Sequence, residues 1–202
     1  MSTDAEPPSS TSSNRRRRIA AAAVVALIVF AAVGAAVWFL GSDDSATSTT
    51  TSATPQSAPL PAVAPRVVSV ALLRQFASAG HRPVYWAGER GRARLEYTRR
   101  SDGATFVRYL TGSAKPGDRR AGYVVVATYA QPDAYERVSK IASQKHLAVK
   151  RIAGGGIAVT RKGRPQNIYI VYPGQPYQVE VYAPTAGETR HLVYTGAITQ
   201  VR

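Results

Sequence analysis

Hydrophobic and polar positions change their pattern three times along the chain. Residues 19–40 carry no charge, and eleven of the 22 are Val, Ile, Leu or Phe. At about 1.5 Å per residue such a helix spans roughly 33 Å, enough for a hydrocarbon core of about 30 Å. Residues 41–65 have no apolar period: ten are Ser or Thr and four are proline, which predicts an extended linker. From Arg66 onward regular periods take over and run to the C-terminus.

In that last part Ser69 is placed to cap a helix with Leu72, Leu73, Phe76 and Ala79 on one face, ended by Gly80 and Pro83. Strands are expected over 84–87, 92–99, 105–110 and 123–129. The last, Tyr123-Val124-Val125-Val126-Ala127, is apolar on both faces and reads as a central strand, with no solvated side for a charge at Val125. A helix over 133–144 follows, entered through Pro132, then strands over 147–152, 157–161, 167–172 and 177–182. The pair Thr185 and Glu188 forms a capping box for a last helix reaching about Gly196.

Two stretches align at an offset of 62 residues: Leu95 to Arg100 with Ile157 to Lys162, and Thr105 to Leu110 with Asn167 to Tyr172. The expected fold is therefore α+β: one membrane-spanning helix, then a domain of two helix-plus-four-strand antiparallel repeats with a C-terminal helix. The expected organisation is a disordered cytoplasmic tail over 1–18, a spanning helix over 19–40, a linker over 41–65 and an extracytoplasmic domain over 66–202.

Orientation follows from the flanks of the apolar run. Arg15, Arg16, Arg17 and Arg18 precede it, and Asp43 and Asp44 follow it. The positive-inside rule puts the N-terminus in the cytoplasm and the C-terminal domain outside. A cleaved signal peptide is the rival reading, but the run exceeds the usual h-region of about 7 to 15 residues.

Charge sharpens the functional question. The chain is +14, and from residue 66 it holds 22 basic against 8 acidic residues. A field of that sign attracts anionic lipid or acidic wall polymer. With an external address, no nucleic-acid partner is expected. There is no cysteine, which excludes disulfides, a thiol nucleophile and a thiolate metal site.

One loop stands out. Between the expected strands ending at Leu110 and starting at Tyr123 lie twelve residues, where the corresponding place in the second half has four, 173–176. A hairpin needs about two to five. Lys115, Arg119 and Arg120 on this loop make it the candidate anion-binding site, expected to matter more than the cations of the second helix. Catalytic signatures are missing: no G-x-S-x-G, S-x-x-K or Walker sequence occurs. His81, His146 and His191 are isolated, so no metal site and no cofactor are expected. The three glycines 154–156 lie between two strands and read as a hairpin turn. Asp102 and Asp118 fall in turns, Glu188 reads as a cap, and Glu96 and Glu180 alternate away from the apolar side.

The segment Arg82-Pro83-Val84-Tyr85-Trp86-Ala87-Gly88, the Gly154-Gly155-Gly156 turn and Tyr177-Gln178-Val179-Glu180-Val181-Tyr182, together with the anchor and linker, resemble single-pass membrane proteins of high-GC actinobacteria to which no activity is attached. The resemblance implies the architecture and transfers no site. The function expected is a membrane-anchored binding module of the cell envelope, touching anionic polymer, lipid or a partner protein. The alternative is an envelope hydrolase whose acids converge only in the fold; a concave site holding two carboxylates would favour it.

Overall fold

A computed structural model describes residues 61–80 and 82–202. The expected tail, spanning helix and most of the linker lie outside these residues, as does His81. Among the described residues no helix is long and apolar enough to cross a membrane.

Ten strands and three α-helices are described: β1 (Val63–Val68), α1 (Val70–Ala79), β2 (Tyr85–Trp86), β3 (Arg94–Arg99), β4 (Thr105–Leu110), β5 (Val124–Ala130), α2 (Ala134–Ile141), β6 (Leu147–Arg151), β7 (Ile157–Arg161), β8 (Asn167–Val171), β9 (Tyr177–Tyr182), α3 (Ala186–Tyr194) and β10 (Thr199–Gln200). Eight strands form one antiparallel sheet in the order β1-β3-β4-β5-β9-β8-β7-β6, and β2 pairs with β10 beside it. Two helix starts follow from single hydroxyls: Ser69 accepts from the Leu72 N–H at 3.1 Å and Thr185 from the Glu188 N–H at 3.2 Å.

The expected repeat architecture is overturned. The domain is one mostly antiparallel eight-stranded β-sheet with three helices laid upon it: β2, the first strand after α1, leaves the sheet to pair with β10, and β1, which precedes α1, takes the edge place beside β3. The 62-residue offset fails on register. Leu95 lies opposite Tyr109, Tyr109 opposite Val124, Val126 opposite Val181, Val181 opposite Ile168, and Ile170 opposite Ala158. Because directly paired residues share a face and neighbours alternate, Leu95 shares its face with Ala158, and Ile157 sits on the other. The similarity in sequence reflects shared alternation. The linker also ends sooner than expected, since β1 begins at Val63 and pairs with β3 across a bulge between Val63 and Arg66.

Each face has its own cover. On the first, Tyr97, Val107, Tyr109, Val126, Ile168, Ile170 and Val181 form the main core with Leu73 of α1 and Leu192 and Val193 of α3. The Phe76 and Tyr97 rings stack there at 4.9 Å. On the second face, α2 lays Ala134 and Val138 over Leu147, Ile157, Val159 and Val171. This helix covers only the β6–β8 side. On the β3–β4 side the cover is the loop 111–122, whose Ala114 packs with Leu110 and with Tyr123 just after the loop.

That division explains the length asymmetry between the two hairpin connections. The turn after β8 can be short because a helix already shields its side of the sheet. The loop after β4 must cross the sheet to do the same work. Val125, the position singled out in the sequence, lies on this second face opposite Arg108 and Tyr182 and is half-buried. Val126, on the main core side, is fully buried at 0% exposure.

Candidate functional site

The alternation of β3 and β9 does send Glu96 and Glu180 away from the main core, as the sequence implies, yet both are buried, at 1% and 6% exposure. The sequence reading missed this because the second face is covered by a loop and a helix, neither of which leaves a mark on strand alternation. Glu96 receives Arg108 Nη1 at 2.8 Å and the Gly117 N–H at 2.6 Å. Gly117 has φ of +77°, the left-handed backbone that glycine tolerates best, and this aims its N–H at the carboxylate. Arg108 also donates to the Asp118 carbonyl and lies 5.1 Å over the Tyr123 ring. Arg94 Nη2 donates to the Ala114 carbonyl at 2.5 Å, and the Tyr182 hydroxyl to that of Ala121 at 2.8 Å. The loop is thus fastened over an ion pair along most of its length.

This fastening sets what the expected anion-binding residues can offer. Arg120 is held by Asp118 at 2.6 Å and by the Tyr123 hydroxyl at 2.8 Å, and it keeps the Asp118 carboxyl well below the usual range. Arg119 also has a partner. Lys115 is exposed at the start of a turn closed by the Asp118 N–H donating to the Lys115 carbonyl at 3.1 Å. Arg120 is therefore partly neutralised in place.

Glu180 occupies a separate polar centre on the same face. It accepts from the Tyr129 hydroxyl at 2.8 Å and from Asn167 Nδ2 at 2.5 Å, and Tyr169 also bonds to it. Burial outweighs these donors and lifts its carboxyl above the ordinary 4.5. The proton is then held more tightly in the folded chain than in the unfolded one. The stability that Glu180 contributes is therefore fully present at acid pH and is lost as pH climbs from about 4.5 through the range where the folded carboxyl ionises. Comparing thermal midpoints of the native chain and Glu180→Gln, which cannot ionise, across pH 4 to 8 is expected to show the native midpoint falling relative to that of the variant as pH rises. A pH-independent difference would contradict this environment for Glu180.

A cleft of about 650 Å³ opens at the end of the sheet where β4 leaves and β5 enters, lined by the stems of the long loop (Thr111, Gly112, Gly122), the connection before β3 and the start of α3. The connection is anchored twice. The Tyr109 hydroxyl accepts from the Ala87 N–H at 2.6 Å and donates to the Gly88 carbonyl at 3.0 Å; burial raises its phenol to about 12, so it stays a donor. Arg90 reaches Glu188 at 2.6 Å and lies 5.8 Å over the Tyr109 ring. Glu188 was expected to close a capping box; only its backbone N–H takes part in the cap, and its carboxylate instead ties α3 to the cleft wall.

The cations spread unequally over the remaining surface. Between Glu136 and Glu180 there is no acidic residue, while eight Lys or Arg occur. This stretch forms the end of α2, β6, β7 and β8, the β6-edge half of the sheet. The Lys162 N–H donates to the His146 carbonyl at 3.0 Å, bringing Lys145 and Lys162 alongside one another at one end of β6. Lys150 and Arg151 stand exposed toward the other end, with the Lys150 amine 4.1 Å over the Tyr194 ring. Ala153–Gly155 makes a single 3₁₀ turn in the β6–β7 hairpin, closed by the Ile152 N–H donating to the Gly156 carbonyl at 2.9 Å. The glycine run is thus a strand-to-strand turn. His146 and His191 are exposed, and among the described residues no cluster of His, Asp and Glu is arranged to hold a metal ion.

Comparison of the chain with protein-family models, with curated proteins and with solved structures finds no match.

Proposed function

We propose that this chain is a membrane-tethered binding module of the cell envelope, whose domain engages anionic polymer or anionic lipid through the flank formed by β6, β7 and β8. The tether rests on the sequence, on Arg15 to Arg18 and the uncharged run 19–40. The observation that carries the binding reading is the unequal burial of the two charge types. Sixteen of the 22 basic residues of the domain are exposed, against four of its eight acids. Glu96 and Glu180 are buried, and Asp118, Glu188, Asp102 and Glu96 are paired with arginines. What faces solvent is more basic than the composition alone suggests, and most one-sided where no acid interrupts it. The same lysines also guard the open edge of β6 against pairing with another chain.

The domain, mixed with vesicles containing phosphatidylglycerol or with a polyglycerol-phosphate chain, is expected to bind at low ionic strength. Binding fades near physiological salt, where the screening length falls to about 8 Å. Changing Lys145, Lys150, Arg151 and Lys162 to Ser together is expected to weaken it more than changing Lys115, Arg119 and Arg120, because Arg120 is already held by Asp118. No binding at low salt overturns the reading.

The hydrolase alternative keeps one specific observation in its favour: the cleft holds two carboxylates, Glu89 and Glu188. Against a general-acid role, Glu188 is committed to Arg90. Release of reducing ends or free phosphate from wall polymer by the native chain, lost in Glu89→Gln, would favour hydrolysis over binding alone.

A further inference from the structure

The cleft differs in charge from everything around it. In a domain with 22 basic and 8 acidic residues, its charged walls are two arginines and two glutamates, Arg90, Arg92, Glu89 and Glu188. Two of the four satisfy one another, since Arg90 and Glu188 form the 2.6 Å pair that fixes the wall. The other two, Glu89 and Arg92, are exposed and make no hydrogen bond or ion pair among the described residues. Glu89 precedes, and Arg92 lies within, a turn closed by the Ala93 N–H donating to the Arg90 carbonyl at 3.0 Å, with Gly91 at φ +49°. Three residues apart, their Cα atoms lie at most about 10 Å from one another.

A polyanion gains nothing from a net-neutral cleft with a free carboxylate at its rim. A ligand carrying one charge of each sign does. We infer that this cleft binds short peptides with both termini free, the terminal carboxylate on the Arg92 guanidinium and the terminal ammonium on the Glu89 carboxylate. Guanidinium offers two parallel N–H donors to a carboxylate, the strongest pairing available to an exposed side chain. The volume, about 650 Å³, falls within the range of about 300–1,000 Å³ of ligand clefts. The wall is already built before a ligand arrives, because Tyr109 and the Arg90–Glu188 pair hold the connection in place, so little ordering cost opposes binding. Gly112 and Gly122 present open space where side chains would stand, which leaves room beside the loop stems for the peptide's own side chains.

The test titrates the full chain in detergent micelles with trialanine by calorimetry, alongside N-acetyl-trialanine, which lacks the ammonium, and trialanine amide, which lacks the carboxylate. Saturable one-to-one binding of trialanine is expected. Each blocked peptide, and each of Glu89→Gln and Arg92→Ser, is expected to bind about tenfold or more weakly, the loss of one charge-assisted contact. Arg74→Ser, exposed on α1 and outside the cleft lining, is expected to leave the affinity unchanged. Both cleft variants are surface changes, and unchanged thermal midpoints would separate lost binding from lost fold. The inference is overturned if trialanine does not bind, or if N-acetyl-trialanine binds equally well and Glu89→Gln is silent, which would mark a plain anion site.

Discussion

Val126→Asp is expected to leave the domain unfolded at every temperature, with no cooperative transition by calorimetry or circular dichroism. Val126 lies in β5, at the middle of the eight-stranded order, between Val107 of β4 and Val181 of β9, and all three are fully buried. An ionised carboxylate placed there meets apolar side chains, with paired backbone on both sides, and the penalty of several kcal/mol matches most of the roughly 5–15 kcal/mol that stabilises a domain of this size. Val125→Asp provides the contrast. That position is half-buried and faces Arg108 and Tyr182, so the new carboxylate would meet a guanidinium and a phenol. It is expected to fold, with a lowered midpoint. Equal loss in both variants would mean that the two faces are equally dry.

Arg108→Met is expected to cost about 3–5 kcal/mol, because it strands a buried carboxylate. Glu96 would keep only the Gly117 N–H, and the loop would lose the donor to the Asp118 carbonyl and the cation over Tyr123. Adding Glu96→Gln to Arg108→Met removes the uncompensated charge, and the double variant is expected to recover a large part of the loss. Denaturant titration of the native chain, the two single variants and the double variant closes the cycle. Additive losses would contradict a coupled pair. Hydrogen exchange adds a second readout: in Arg108→Met, the Gly117 amide is expected to lose protection before those of β4, because the loop is held down by this pair.

How far the sequence carried follows from what each residue could signal. Strand alternation placed β3, β4, β7 and β9 to within two residues, and Ser69 and Thr185 marked their helices because an N-cap is a local event, complete within four residues. β1 was missed because Pro65 and a bulge interrupt it, and its partner among the described residues, β3, is supplied by the fold. The duplication was misread because alternation makes any two strands of a sheet look alike, while face identity depends on pairings such as Ile170 with Ala158 that no single strand encodes. The loop 111–122 was legible as an excess of length and charge. Its role was not, because the reason for the length is Glu96, fifteen residues upstream and hidden on a strand that reads as half-solvated. The cleft was illegible for the same reason: Arg90 and Glu188 meet across 98 positions of sequence.

The reading of this chain as a polyanion-binding module is tested most directly by mapping amide chemical shifts of the folded domain during titration with a polyglycerol-phosphate chain at low salt. The expected result is shifts concentrated at residues 140, 145–151 and 161–164, saturating together and reversed by added salt. Shifts confined to residues 115–120, or distributed evenly over every exposed lysine and arginine, would contradict a binding flank.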